Sequence, residues 1–189
     1  MWKIIKRNVK KEKTMGHRLF NKGKYAKPRP SYGRVLIKIL VVLALVTVLL
    51  VNLFTQVFTV VQYYGDGMAP SLQDRQILLV RKTEQVERED IIAFYFNNKV
   101  LVRRIIAEGG NSLEIEKTGG VIVDGTRIEE PYIESPALGQ CNISFPYTVP
   151  HEEFFVMGDN RPVAMDSRLA EIGTIPQNRV IGKIVFSIG

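Results

Sequence analysis

The feature that most constrains this chain is an unbroken apolar run from Val35 to Phe54, VLIKILVVLALVTVLLVNLF. Coiled as a helix, these 20 residues reach about 30 Å, the thickness of a bilayer's hydrocarbon core. Lys38 lies near the start, where its long stem can carry the charge back to the interface. Thr47 and Asn52 are only mildly polar. The run is apolar on every face, which does not suit a helix lying on a soluble core. A cleavable signal peptide has a shorter apolar region followed by small residues at its cleavage site. Here the sequence TQVFTVVQYY follows. The expectation is one uncleaved transmembrane helix over 35–54.

Charge sets the orientation. Residues 1–34 carry twelve Lys or Arg against one acid, Glu12, so +11 of the net +7 lies there and residues 35–189 are left at −4. A basic arm before a membrane helix belongs on the cytoplasmic side. There it attracts anionic lipid, at about 1 kcal/mol per basic residue near the surface. The arm therefore reads as a topology signal and lipid contact, and not as a nucleic-acid footprint. The expected organisation is a basic cytoplasmic arm (1–34), the helix (35–54) and an extracytoplasmic domain (55–189).

Beyond the helix the pattern changes to short runs rich in Val, Ile, Phe and Tyr, as strands require. Strands are predicted over 58–64, 77–82, 91–96, 100–107, 112–116, 121–123, 154–157 and 180–188. Asp124-Gly125 is a type I′ hairpin signal, and Gly109-Gly110 and Gly119-Gly120 are further breaks. No helical period follows residue 64, so the fold class is mostly β. The single cysteine, Cys141, excludes an intrachain disulfide and a cysteine-rich metal site. Asp66 has no partner carboxylate nearby in the sequence to make an acid–base pair. No cofactor and no metal are expected.

Five stretches, taken in order, carry a resemblance. Gly65-Asp66-Gly67-Met68-Ala69-Pro70-Ser71-Leu72 is similar to a G-x-S-M-x-P-T-L box. Glu89–Phe94 and Val102–Ile106 are similar to G-D-I-V-V-F and V-K-R-I-I strands. Val121–Gly125 with Glu130-Pro131-Tyr132 is similar to a V-x-V-N-G…E-P-Y hairpin. Phe155–Arg161 with Asp166-Ser167-Arg168 is similar to F-V-M-G-D-N-R…D-S-R, and Ile181-Gly182-Lys183 closes the match. In these motifs the chain resembles the type I signal peptidases over roughly residues 35–189. That family implies a membrane-anchored β-domain that cleaves signal peptides with a Ser nucleophile and a Lys base. A Ser hydroxyl is a poor nucleophile until a base takes its proton, and a lysine serves only when burial lowers its pKa.

This sequence departs from the pattern at the chemistry itself. The nucleophile position holds Gly67, which has no side chain. The base position holds Arg103, which stays protonated up to about pH 12 and so cannot act as a base. The position of an orienting Ser holds Ala164. Ser71 reads as a turn residue. Neither histidine stands in for the base, His17 falling in the basic arm and His151 in a Pro-flanked loop. Asp159, Arg161, Asp166 and Arg168 read as a structural ion-pair cluster beneath the site, and the sequon Asn142-Ile143-Ser144 as chance.

The expectation is therefore a non-catalytic protein that holds an extended polypeptide in the former active-site groove by strand addition, with Asp66, Gly67, Met68 and Pro70 as groove residues. The resemblance extends to degenerate signal-peptidase-like proteins of Gram-positive pilus gene clusters. It implies an accessory or chaperone role in sortase-dependent assembly, with a pilin or other secreted preprotein, and a sortase, as partners. The alternatives are an active peptidase with a relocated nucleophile, and a regulator or decoy in preprotein processing.

Overall fold

The computed structural model describes residues 32–189. Most of the basic arm, with His17, lies outside the described residues. The chain divides at Thr47–Val48 into two compact units. The described part of the first is helix throughout. The second opens with the remaining turns of that helix and holds every strand.

The helix α1 runs over Tyr32–Val57, 26 residues, longer at both ends than the apolar run. It is long and apolar enough to cross a membrane, and none of its residues is buried. Turn 43–47 is closed by Thr47 Oγ1, which donates to the Leu43 carbonyl. This disposes of a polar group that lipid could not solvate.

The β-domain contains two antiparallel sheets. The larger is ordered β1 (Phe58–Gln62), β2 (Ile77–Arg81), β11 (Val180–Ile188), β3 (Ile91–Phe96), β4 (Lys99–Glu108), β9 (Glu153–Met157), β10 (Ile175–Pro176). The smaller is ordered β7 (Thr126–Arg127), β6 (Val121–Val123), β5 (Ser112–Ile115), β8 (Tyr147–Thr148). The eight predicted strands all form, with ends shifted by up to two residues. Strands β7, β8 and β10 are additional, each only two residues long.

The turns follow backbone chemistry. Asp124 and Gly125, both at positive φ, join β6 to β7. Asn97 and Asn98, also both at positive φ, join β3 to β4. Asn visits this region more readily than most side chains. Three apolar clusters make the core. Ile106, Phe155 and Met157 pack with Leu113, Val121 and Val123 of the small sheet. Tyr63, Met68 and Leu72 pack on Leu78, Val80, Ala93 and Val102. Ile92, Phe94, Ile105 and Val156 pack with Ile172 and Ile175. β4 thus lies in the middle of the core, and its residues 102–107 are all buried.

Candidate functional site

Strand alternation decides what the two central arginines of β4 can do. Successive side chains leave a strand on opposite faces, so Arg103 and Arg104 are sent to different surroundings. Arg104 meets a carboxylate. Its Nε and Nη2 donate to Asp159 at 2.9 and 2.6 Å, and its Nη1 donates to the Glu89 carbonyl at 2.8 Å. Its guanidinium lies 3.9 Å over the Tyr132 ring. The Ser71 hydroxyl accepts a further bond from Nη2 at 3.2 Å, which ties it to this arginine.

Arg103 points toward the box loop. Its Nε donates to the Met165 carbonyl at 2.9 Å and its Nη1 to the Val102 carbonyl at 2.6 Å. A Cβ placed on Gly67 would lie 3.1 Å from Arg103 Nη2 and 3.3 Å from Cζ. The guanidinium therefore stands over the face of Gly67 where a side chain would project. Arg103 is 8% exposed. Burial pulls its pKa down, opposed by the nearby Tyr63 and Asp166, but a guanidinium is too weak an acid to give up its proton and act as a base at physiological pH. Burial likewise pushes the Tyr63 hydroxyl up, against the pull of Arg103. That hydroxyl accepts the Met68 N–H at 3.0 Å.

The loop 158–168 clamps this arrangement. Asn160 N–H donates to the Gly67 carbonyl and Asn160 Nδ2 to the Asp66 carbonyl, both at 3.1 Å. A Cβ on Gly158 would fall 2.3 Å from the Gly67 oxygen and 2.4 Å from the Ala164 Cβ. Only glycine lets the two loops touch there. Ala164 is itself buried, at 1% exposure. The four expected ion-pair residues lie together, Arg168 Nη1 donating to the Arg161 carbonyl at 2.9 Å and Arg161 N–H to the Asp159 carbonyl at 3.0 Å, but they pair in three separate bridges. Asp159 pairs with Arg104, Arg161 with Glu130, and Asp166 with Arg168. Arg104 and Glu130 were missed as partners because they lie 55 and 31 residues away.

Beside Arg103 the fold opens. A cavity of about 530 Å³ is lined by Tyr63, Gly67, Leu101, Arg103, Val163 and Met165, with Asp66 and Lys99 at exposed positions along it. A second cavity, of about 700 Å³, continues from it between residues 61–64 and 99–103. Together they form a groove that runs past the end of β1, an edge strand of the sheet. Of the expected groove residues, Asp66 and Gly67 line it. Met68 and Pro70 do not. The Met68 side chain is fully buried in the core beside Leu72 and Val80, because an apolar thioether gains more there than in water. Pro70 is exposed, away from both cavities. Tyr63, Val163 and Met165 were not singled out from sequence. Val163 and Met165, 55% and 57% exposed, are bulky apolar side chains inside the D-N-R…D-S-R loop, a signal that was there to be read. No group of His, Cys, Asp and Glu suited to a metal occurs among the described residues.

The sequence profile of the family "Signal peptidase, peptidase S26" matches residues 34–188. The chain belongs to that family. Among its relatives, a signal peptidase I of Bacillus amyloliquefaciens is 36% identical, over 65% of this chain and 70% of its own length. Signal peptidase I S of Bacillus subtilis (strain 168) is 31% identical, over 77% and 85%. A crystal structure of a signal peptidase I from Enterococcus faecalis V583 aligns over 53% of this chain and 97% of its own, at 27% identity and a TM-score of 0.46. The positions that the motifs imply for Ser and Lys, Gly67 and Arg103, lie beside one another, a Cβ on Gly67 falling 3.1 Å from Arg103 Nη2.

Proposed function

We propose that this protein is a non-catalytic member of the signal peptidase family. It is anchored by α1 in the cell membrane with its β-domain outside, and it holds an extended polypeptide in the groove beside Arg103. One observation carries the reading: the position where a nucleophile would stand has no side chain, and the group set against it is a guanidinium, which gives up no proton. The groove and the β1 edge suit an extended chain, which an edge strand can pair through its backbone. By analogy with degenerate relatives, the polypeptide is a pilin or another secreted preprotein on its way to a sortase, and the protein is an accessory factor in pilus assembly.

A second reading is signal-peptide cleavage, favoured by the names of the relatives. It needs a relocated nucleophile. Ser71 is occupied by Arg104. His151 lies in an exposed turn beyond the end of β4, about 20 Å from residue 103 at the rise of a strand. The test is incubation of the full-length protein in detergent with a labelled preprotein. No cleavage is expected, and a photo-crosslinker at Met165 should capture the preprotein. Specific cleavage that Ser71→Ala abolishes would replace the first reading with the second. A deletion strain that still shows a normal pilus ladder on immunoblots would remove the pilus role.

A further inference from the structure

The domain buries four arginines: Arg103, Arg104, Arg161 and Arg168. Three of them hold a carboxylate, namely Asp159, Glu130 and Asp166. Arg103 has no carboxylate oxygen within 4.0 Å among the described residues. The nearest contributing acid, Asp166, is already committed. Its oxygens accept from Arg168 at 2.8 and 2.7 Å and from the Gly158 N–H at 2.9 Å. Asp66, which lines the cavity, is exposed and makes no ion pair with Arg103.

A buried cation without a counter-ion is costly unless hydrogen bonds and a partner charge offset its lost hydration. Arg103 uses its Nε and Nη1 on two neutral carbonyls. Its Nη2 donates to no described carbonyl or carboxylate, and the further side-chain partner of the guanidinium, the Tyr63 hydroxyl, is neutral. That nitrogen stands over Gly67, where the lack of a side chain leaves it open to the cavity. The walls on either side, Leu101, Val163 and Met165, are apolar. In such a setting a charge-assisted bond is stronger than in water.

We propose that Arg103 is a carboxylate-binding group, taking a carboxylate of the extended peptide that occupies this groove. The assignment rests on the reading of the groove as a peptide site and gives that site its ligand chemistry. The missing counter-ion is supplied by the ligand. A C-terminal carboxylate and an Asp or Glu side chain offer the same two oxygens, so both are sources of this group. The depressed pKa of Arg103, caused by its burial, agrees with a cation lacking its partner.

The test uses the full-length protein in lipid nanodiscs and three N-terminally fluorescent peptides of one Ala/Val/Thr sequence. One ends in a free carboxylate, one in an amide, and one in an amide with an internal Glu. Binding is read by fluorescence anisotropy at physiological salt. At least one carboxylate peptide should bind about tenfold tighter than the neutral amide, the scale of a charge-assisted hydrogen bond. Tight binding of the free acid alone assigns the peptide terminus. Tight binding of the Glu peptide assigns a side chain. Arg103→Met should abolish the preference, Arg103→Lys should retain part of it, and Lys99→Gln should leave it intact. Equal binding of all three peptides overturns the proposal but leaves the peptide groove standing. No binding of any peptide overturns both. A preference that survives Arg103→Met, or vanishes in Lys99→Gln, gives the site to Lys99 and overturns the assignment. If Arg103→Met does not fold, a preference kept at least in part by Arg103→Lys and absent in Arg103→Gln still upholds it, and any other pattern in those two variants overturns it.

Discussion

Gly67 and Arg103 fit one another. A Cβ on Gly67 would press on the guanidinium at 3.1 Å, so the arginine is accommodated because the glycine is there. This contrasts with the other buried arginines, and the contrast can be measured. Asp159→Ala strands Arg104, buried and without its bidentate partner, and should cost roughly 3–5 kcal/mol. Arg103→Met removes a charge that has no internal counter-ion and keeps the apolar stem. It should cost well under half as much, or nothing. Thermal and urea melts of the detergent-solubilised protein compare the two. Equal losses would show that the Arg103 charge is satisfied within the protein. Motif spacing singles out Gly67 and Arg103 in the sequence without any structure. It could not reveal the partners of Asp159 and Arg161, which come from distant strands and hairpins. The local Asp166–Arg168 pair, two residues apart, was within its reach.

Among the elements, the strands most legible in sequence were those long enough to show a pattern. Strands of two residues, such as β7, β8 and β10, carry no period at all, and they form because neighbouring strands offer them partners. The Asn97-Asn98 turn was equally hard to read, since its only signal is the tolerance of Asn for positive φ. Burial of Met68 escaped notice for a related reason. The box loop turns back after Gly67, and Ala69 N–H and Leu72 N–H bond to Asp66 and Met68 carbonyls at 3.1 and 2.9 Å. This turns the Met68 side chain from the groove into the core. The contact that fixes this loop is Gly158 against the Gly67 carbonyl. Gly158→Ala puts a methyl 2.3 Å from that oxygen. The loops must part, at a cost of roughly 1–3 kcal/mol for an overpacked core. The melting temperature should fall, and capture of a preprotein by a crosslinker at Met165 should fall with it. Unchanged capture in a destabilised variant would separate the loop's packing from the groove's shape.

At the scale of the whole molecule, the charge pattern and the helix make a topological prediction. Protease added to intact protoplasts should digest the β-domain and spare the segment before α1, the outcome that the positive-inside rule gives for a basic arm ahead of a membrane helix. A protected β-domain would reverse the orientation. The stronger test of the whole scaffold is to return the chemistry to it. The triple variant Gly67→Ser, Arg103→Lys, Ala164→Ser places a hydroxyl and an amine at positions that already face one another, a Cβ on residue 67 standing 3.1 Å from Arg103 Nη2. Lys is thinner than Arg, which relieves the crowding that a Cβ at residue 67 creates. Residue 103 is 8% exposed, so desolvation should lower the lysine's pKa, as a base for Ser requires. Weak cleavage of a labelled preprotein should appear, identified by the mass of its product, and should rise with pH as the lysine loses its proton. Gly67→Ser alone should show none, since Arg103 gives up no proton. Cleavage by the single variant would place the base somewhere other than residue 103. A folded but inert triple variant would show that facing positions are not enough, and that the surroundings no longer hold the amine neutral.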